Sequence, residues 1–196
     1  QKLLSPKEDW EVRKLGEVCV FQNGLGHEQF ESEFGKYIVV NSKFISTESR
    51  VKRFSHKNLV PLQKYDIVIV MSDIPNGKAL AKCFYIDKNN LYTLNQRIGR
   101  ISINDDFDSK FLFYLLNRNK YFLAFDGGSG QTNLRKQEVL DCPIHFPPLK
   151  TQQEIAEILS SMDLEIESLE NHLQKARNIK QGMMQDLLTG KVRFVD

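Results

Sequence analysis

The sequence lacks any long apolar segment. Its longest uninterrupted apolar run covers residues 111–116, whereas a membrane-spanning helix needs ~18 or more consecutive apolar residues. No basic start followed by an apolar stretch opens the chain, so no secretory signal is expected. These absences predict a soluble protein. Its 196 residues suffice for one ordinary domain with an appendage or for two very small domains.

Cysteine is scarce and forms no paired motif. Cys19, Cys83 and Cys142 are odd in number and make no Cys-x-x-Cys pattern, which suits a reducing cytoplasm and small buried side chains. The four histidines show no metal-ligand spacing either. We therefore expect a cytoplasmic location and no structural metal site.

Signatures of common catalytic and nucleotide-binding sites are also missing. The sequence contains no Walker loop and no G-x-G-x-x-G, H-E-x-x-H or G-x-S-x-G motif. One partial match is Asp108-Ser109-Lys110, which together with Asp87 outlines a candidate metal-dependent nuclease site. Because this triplet opens a predicted helix, where aspartate is a common N-cap, a cap is the favoured interpretation.

The formal net charge of +2 is divided unevenly along the chain. Residues 1–150 carry 22 basic and 17 acidic side chains, whereas residues 151–196 carry 5 and 8. Within the first part, residues 36–100 carry 12 basic and 4 acidic side chains. Such a block can neutralise DNA phosphates, although a solvated lysine-rich surface would give the same count. The chain therefore joins a basic first part to an acidic tail.

Residues 1–148 are expected to form an α/β (α+β) globular domain with short strands and few helices. A Pro-Asn-Gly turn signal at residues 75–77 predicts a hairpin with a polar tip. Acidic residues followed by spaced apolar ones predict one helix over residues 109–125, ended by the glycine-rich residues 127–130. Short apolar runs between turn-forming residues predict strands near residues 18–21, 37–40, 67–71, 80–86 and 97–103.

Residues 149–196 differ in kind and are expected to form one long coiled-coil helix. Thr151 and Glu154 match a capping box that predicts its start, and Gly190 predicts its end. At 1.5 Å per residue, a helix over residues 152–189 would be about 57 Å long. A heptad seam runs along it and supplies the expected helix-pairing residues Leu159, Met162, Ile166, Leu169, Leu173, Ala176, Met183 and Leu187.

An apolar stripe of this length predicts a partner helix. Most of the stability of a helix comes from burial of its apolar face, and one small domain cannot cover the whole stripe. Lys180 within the seam and Gly182 in the helix interior weaken the pairing locally. The partner is either a second copy of the chain or a different subunit.

Several short motifs occur in a characteristic order along essentially the whole chain. WEVRKLGEV at residues 10–18 is followed by GK at 77–78, NQRIG at 95–99 and GQTNL at 130–134. The series closes with FPPL at 146–149, QQEIA at 152–156 and LLTGKVRF at 187–194. In this order the motifs resemble the specificity (S) subunit of type I restriction-modification systems, or more strictly one half of such a subunit.

The resemblance implies a fold, partners and an absence of catalysis. Members of the family contain two target-recognition domains, each of which reads half of a split DNA sequence, and two long helices that pair antiparallel as a spacer. S-adenosylmethionine, ATP and Mg are expected on the methyltransferase (modification) and restriction subunits, and no cofactor is expected in this chain. With one recognition domain and one helix, the chain corresponds to a half-subunit or a fragment.

Contacts with double-stranded DNA are expected on the predicted loops. In the major groove Asn and Gln suit adenine, Arg and Lys suit guanine, and Ser and Thr suit either. Base contacts are expected from Ser72, Asn76, Lys78, Arg97, Ser129, Gln131 and Thr132. Phosphate contacts are expected from Lys43, Arg50, Lys52, Arg53 and Lys57. Gln96 and Asn133 lie within the family motifs and are expected to be structural.

Three functions from different classes follow from the sequence. The favoured one is a DNA-reading specificity module within a methyltransferase or restriction assembly. A nuclease built on Asp87 and Asp108 predicts Mg²⁺-dependent nicking by the chain itself. A coiled-coil adaptor whose globular part binds protein predicts no salt-sensitive affinity for DNA.

Overall fold

The chain forms two compact units, Gln1–Ala156 and Glu157–Asp196. The computed structural model describes residues 4–7, 10–73, 78–104, 106–127 and 130–191. The domain division expected from the sequence, between residues 148 and 149, stays a prediction. No helix in the described ranges is both long enough and apolar enough to cross a membrane.

Short strands and short helices alternate up to residue 146, and one long helix follows. The strands are β1 (Glu11–Lys14), β2 (Cys19–Asn23), β3 (Tyr37–Val40), β4 (Phe54–Ser55), β5 (Ile67–Val70), β6 (Ser72–Asp73), β7 (Cys83–Tyr85), β8 (Tyr92–Leu94), β9 (Ile98–Ile103), β10 (Thr132–Asn133) and β11 (Pro143–Phe146). The helices are α1 (Leu15–Val18), α2 (Ser42–Ser46), α3 (Ser109–Leu116), α4 (Lys120–Leu123), α5 (Lys136–Leu140) and α6 (Leu149–Leu188). The expected fold class, a mixed domain of short strands and few helices with a long C-terminal helix, is confirmed.

A four-stranded antiparallel sheet in the order β2-β9-β5-β7 lies at the centre of the first unit. The four side chains of β5 are β-branched and fully buried, which is the composition that packs well on both faces of an inner strand. Ile67 pairs with Tyr85 of β7 on one side and with Ile101 of β9 on the other. The predicted hairpin is thereby confirmed, and its tip at residues 74–77 lies outside the described residues.

A second sheet, in the order β4-β3-β8, shares a hydrophobic core with the first. β3 pairs antiparallel with β4 and parallel with β8. Val70 of β5, Val40 of β3 and Leu94 of β8 belong to one buried cluster. Phe44 of α2 joins this cluster, with its ring centroid 4.9 Å from that of Phe84. The common core fixes where the strands of both sheets end.

The prediction of a single helix over residues 109–125 is wrong, because the structure has two helices there, α3 and α4. Asn117 turns its side-chain oxygen to the backbone N–H of Cys83, at 3.1 Å. Arg118 then adopts a left-handed backbone with φ of 57°, and Asn119 caps the following helix. Long-range hydrogen bonds to β7 therefore interrupt a segment whose apolar spacing alone would continue the helix.

The long helix α6 begins at Leu149, three residues before the expected first helical residue at 152. Thr151 is consequently not the N-cap, and the predicted capping box is wrong. The carbonyl of Pro148 accepts hydrogen bonds from the N–H groups of Thr151 and Gln152, at 2.8 and 3.1 Å. The Gln152 side chain is buried and donates to the Pro147 carbonyl at 2.8 Å, which ties this first turn to the strand before it.

The expected end of α6 is confirmed. The helix stops at Leu188, and Gly190 has a φ of 71°, the left-handed conformation that favours glycine. The N–H of Gly190 donates to the Leu187 carbonyl, and the N–H of Lys191 donates to the Asp186 carbonyl. These two bonds define a Schellman motif.

Gly24 allows the chain after β2 to lie against the segment before β9. A Cβ at this position would overlap the carbonyl oxygen of Asn95 and lie 2.8 Å from that of Leu94. We expect Gly24→Ala to lower the free energy of unfolding by about 1–3 kcal/mol, because backbone atoms cannot move aside as a flexible side chain can. Urea unfolding followed by circular dichroism measures the change.

Gly182 provides the matched control for this substitution. A Cβ there would meet nothing within 4 Å. Gly182→Ala should therefore stabilise α6 by ~1 kcal/mol, the difference in helix propensity. Equal unfolding midpoints for Gly24→Ala and the unaltered chain would contradict the role given to Gly24.

Candidate nucleic-acid interface

Three segments that are far apart in the sequence meet at one end of the four-stranded sheet. The N–H of Met71 donates to the carbonyl of Arg97 at 3.0 Å, and the N–H of Leu134 donates to the carbonyl of Met71 at 2.7 Å. β6, which follows Met71, pairs antiparallel with β10. Residues 71–73, 97 and 131–134 together form what we call the reading surface.

Gln131 and Ser72 are in direct contact on the reading surface. The side-chain amide of Gln131 donates to the Ser72 hydroxyl at 2.6 Å. Ser72 is only 8% exposed, whereas Gln131 is exposed. The structure therefore places Ser72 beneath Gln131, where it orients the amide. The two residues were both expected to contact DNA, and their 59-residue separation gives no sequence signal for their contact.

Thr132 and Arg97 are the other two expected contact residues on the reading surface. The Thr132 hydroxyl is half-buried and donates to a carboxylate oxygen of Asp126 at 2.9 Å. Arg97 is exposed, and its φ of 67° lies in the left-handed region that is uncommon for a non-glycine residue. Its carbonyl is held by Met71, so the backbone that carries the guanidinium is fixed.

The loop after β6 places Lys78 beside the reading surface. One carboxylate oxygen of Asp73 accepts from the N–H groups of Ala79 and Leu80, at 2.7 and 3.0 Å. The guanidinium of Arg118 donates to the carbonyls of Leu80 and Lys78, at 2.9 and 3.3 Å. Exposed Lys78 and Arg118, from two segments of the chain, therefore lie close together here.

Sequence reasoning missed Arg118 as a member of this group. Arg118 was expected inside a continuous helix, so its place in an exposed bend between α3 and α4 could not be foreseen from apolar spacing. The asparagines on either side of Arg118 were the available signal, because asparagine favours caps and turns.

A second basic group surrounds β4. Lys52 and Arg53 line a groove of about 400 Å³ together with residues 31–33 and Phe54. Arg53 is ion-paired with Glu31 at 3.2 Å, so a phosphate would have to compete with this carboxylate. Lys57 lies nearby in the sequence, with its ammonium 4.4 Å from the centroid of the Phe30 ring.

Of the remaining expected DNA contacts, two are exposed residues at or after α2 and two lie outside the described residues. Lys43 is exposed on α2, and Arg50 follows that helix, where its guanidinium is 3.6 Å from a Glu48 carboxylate oxygen. Asn76 and Ser129 lie outside the described residues.

Gln96, expected to be structural, donates to Glu28 at 2.6 Å. Asn133 pairs with Ser72 in the β6–β10 ladder.

The two carboxylates of the candidate nuclease site have other partners. The Asp108 side chain accepts from the N–H of Phe111 at 2.7 Å, which confirms its expected role as the N-cap of α3. Asp87 accepts from the Tyr92 hydroxyl at 2.7 Å. Burial, together with this hydrogen bond, raises the pKa of Tyr92, so the hydroxyl keeps its proton and donates. In the ranges that the structure covers, no group of three or more His, Cys, Asp or Glu side chains could hold a metal ion.

The expected helix-pairing residues lie on α6. Leu159 is half-buried, whereas Ile166 and Leu169 are 53% and 60% exposed. The remaining five, Met162, Leu173, Ala176, Met183 and Leu187, are likewise exposed. A row of apolar side chains therefore faces solvent over most of the second unit.

Solved structures share this fold. The type I restriction-modification system S subunit from M. genitalium superposes with a TM-score of 0.69 at 20% identity, over 95% of this chain and 48% of that one. The HsdS subunit from Thermoanaerobacter tengcongensis gives a TM-score of 0.61 at 14% identity, over 96% and 47% of the two chains. At these identities the similarity is one of fold.

Sequence comparison defines the family. The type I restriction enzyme MjaVIII specificity subunit of Methanocaldococcus jannaschii is 31% identical over 95% of this chain and 47% of its own length. The MjaX counterpart from the same organism, a putative specificity subunit by its own description, is 26% identical over 93% and 46%. The family model of the type I restriction modification DNA specificity domain matches residues 7–178.

The chain belongs to the family of type I restriction-modification DNA specificity domains. Members of this family are DNA-recognition components and not catalytic ones. The chain spans about half the length of the curated relatives that it matches.

Proposed function

We propose that this chain reads one half of a bipartite target in double-stranded DNA as part of a type I restriction-modification system. The observation that carries the proposal is the convergence of Arg97 from one segment and of Gln131 and Thr132 from another on the reading surface. These are the residue types that discriminate bases in the major groove. Backbone hydrogen bonds and strand pairing hold Arg97 and Thr132 in place, which favours a defined register on the duplex.

Each group of residues has its own role in this proposal. The Gln131 amide, oriented by Ser72, suits adenine, and the Arg97 guanidinium suits guanine. Lys78 and Arg118 flank the reading surface and can neutralise phosphates, as can Lys52 and Arg53 in the groove beside β4. Phosphate contacts would position the domain, and the reading surface would select the sequence.

The exposed apolar row on α6 supports pairing with a second helix. Antiparallel pairing of two copies about a two-fold axis would present two reading surfaces as inverted copies. Such a dimer would read an inverted repeat interrupted by a spacer whose length the helices set. Pairing with another half-subunit would instead join two different half-sites.

Catalysis would be supplied by other subunits. Methyltransferase and restriction subunits would dock on this chain and bring S-adenosylmethionine, ATP and Mg²⁺. One structural neighbour, at a TM-score of 0.66 and 14% identity, comes from a study of complex assembly and conformational transition of the type I system. That neighbour supports docking as a property to test in this chain.

Selection of bound duplexes from a random-sequence library tests the proposal. Sequencing of the bound duplexes should yield a preferred half-site, or an interrupted inverted repeat if the chain pairs with itself. Comparison of host DNA methylation with and without the gene should then locate modified adenines at that sequence. A bound pool without sequence preference would contradict DNA reading, and absence of any salt-sensitive affinity would favour a protein-binding adaptor.

Arg53 tests the phosphate contacts. We expect Arg53→Ala to weaken binding to all duplexes by a similar factor and to reduce the slope of log affinity against log salt by ~1, because one phosphate contact is lost. Fluorescence anisotropy titrations at several salt concentrations measure both quantities. Arg13→Ala is the matched control, since Arg13 is also ion-paired, with Glu11 at 2.8 Å, and its side chain is 41% exposed. An unchanged slope would remove Arg53 from the interface.

A further inference from the structure

Phe34 is exposed to an unusual degree for a phenylalanine. Its side chain is 90% exposed, more than that of any other large hydrophobic residue in the part of the chain that the structure describes. Single exposed apolar residues are common on protein surfaces and often need no explanation. Phe34 differs because hydrogen bonds anchor the turn that carries it, so its ring is held in a solvent-exposed position.

The backbone around Phe34 is held by β4. The N–H of Ser32 donates to the Phe54 carbonyl at 2.9 Å, and the hydroxyl and carbonyl of Ser32 accept from Phe34 and Gly35, at 3.2 and 3.0 Å. Gly35 lies so close to the strand that an added Cβ would be 2.5 Å from the Ser55 nitrogen. The turn is therefore pinned on both sides of Phe34 while the ring points away from the core.

The start of the same loop is anchored beside the reading surface. His27 is fully buried, where its Nδ1–H donates to the Leu25 carbonyl and its Nε2 accepts from the Thr93 hydroxyl, each at 2.8 Å. Gln96, the residue before Arg97, donates to Glu28 at 2.6 Å. The loop over residues 24–35 therefore runs from the neighbourhood of Arg97 to the groove beside β4.

Both basic and acidic side chains lie near the turn. Lys52 and Arg53 line the groove with residues 31–33, and Lys36 follows the turn directly. Arg53 and Glu31 are paired at 3.2 Å, so among the remaining charges Lys36 and Lys52 exceed Glu33 by one positive charge. An exposed aromatic ring beside a small excess of positive charge fits a stacked base step with phosphates on either side.

We propose that Phe34 inserts partly between two neighbouring base pairs of the target duplex and unstacks them. The inference rests on the proposed DNA-reading function and adds a way of selecting sequence. Base steps differ in how easily they unstack, and pyrimidine–purine steps yield most readily. Insertion at one step would therefore favour targets with a flexible step at that position, without a hydrogen bond to either base.

Two measurements on the full chain test this role. The duplex is the one selected by the unaltered protein from a random library, with 2-aminopurine placed at successive positions in turn. We expect its fluorescence to rise on binding at one step, because the probe brightens when it is unstacked. Phe34→Ala should abolish this rise and weaken binding by about 10- to 100-fold with an unchanged salt slope, because no phosphate contact is lost.

Control variants separate insertion from other effects. Phe34→Trp retains a large flat ring and should preserve both the fluorescence change and the affinity. Tyr65→Ala removes another exposed aromatic ring, 55% exposed and beside Tyr85, and should leave both unchanged. Because Phe34 contributes little buried surface, the melting temperature of Phe34→Ala should equal that of the unaltered chain.

Each contrary result has a distinct meaning. If the unaltered chain selects no duplex, the proposed function fails and the role of Phe34 fails with it. If the chain selects a duplex but Phe34→Ala leaves fluorescence and affinity unchanged, only the insertion is overturned. A loss of affinity without loss of the fluorescence change also overturns insertion. Loss of binding to a purified methyltransferase subunit, with DNA binding intact, would assign Phe34 to a protein contact instead.

Discussion

A chain carrying both Ile166→Asp and Leu173→Asp is expected to be monomeric at 22.7 kDa in light scattering, whereas the unaltered chain is expected to show twice that mass. Both residues are apolar, about half exposed and lie in the heptad seam of α6. Burial of each side chain in a helix pair contributes ~1.5–3 kcal/mol. In a symmetric pair the two substitutions place four carboxylates in the seam, which would weaken association by more than ~10³-fold.

Leu164→Asp is the control for this experiment. Leu164 is also an exposed apolar residue of α6, at 67%, but it lies outside the seam. Its substitution should leave the mass unchanged. Helicity from circular dichroism separates loss of pairing from loss of the helix. A monomeric unaltered chain with intact helicity would contradict pairing of two copies and leave a different subunit as the partner of α6.

Arg97→Ala together with Gln131→Ala is expected to lower affinity for the selected duplex by ~10²-fold or more. A bidentate contact with a base contributes ~1–3 kcal/mol of discrimination, and the two residues would read different bases. Affinity for a scrambled duplex should fall much less, because phosphate contacts dominate non-specific binding. Both side chains are exposed, so the fold should be retained. Competition titrations with the two duplexes give the specificity ratio.

The matched control removes the same two side-chain types elsewhere. Arg13 lies on β1 and Gln174 on α6, where it donates to Asn178. Arg13→Ala with Gln174→Ala should leave the ratio between selected and scrambled duplexes unchanged. An equal loss of affinity for both duplexes in the Arg97 and Gln131 variant would show that these residues bind the DNA backbone, and the assignment of base reading would be wrong.

Elements governed by local composition could be predicted from the sequence. The β-branched run at residues 67–70 forms a strand, as expected, and the strand is buried. Asp108 caps the N-terminus of α3, as expected. Gly190 ends α6 as predicted, because a left-handed residue that completes a Schellman motif is a local requirement. In each case the residues that decide the structure are neighbours in the sequence.

Elements governed by distant contacts could not be predicted in this way. The break at Arg118 depends on two hydrogen bonds to residues more than 30 positions earlier: Asn117 accepts from the Cys83 N–H, and Arg118 donates to the Leu80 carbonyl. The β6–β10 ladder is two residues long on each strand, too short for any periodicity. The sequence therefore predicted contacts on separate loops. Their convergence into one reading surface is visible only in the structure.

The charge pattern sets an expectation for the isolated chain. Its first 150 residues carry a net charge of only +5, and the tail carries −3. Within the basic groups, Arg50 and Arg53 are already beside glutamates. A modest, salt-sensitive affinity for DNA follows, with tighter binding once partner subunits enclose the duplex. Tight, salt-resistant binding by the chain alone would contradict this expectation.

The backbone beside the reading surface carries an energetic cost. Ala81, Arg97 and Arg118 have φ values of 56°, 67° and 57°, and each such residue costs about 1 kcal/mol or more relative to a relaxed backbone. Glycine would remove the cost but would also allow each loop many other shapes. Because glycine also gains more freedom in the unfolded chain, these substitutions would change stability little while loosening the loops that hold the reading residues. The strain at Ala81, Arg97 and Arg118 is therefore the expected cost of one fixed loop geometry.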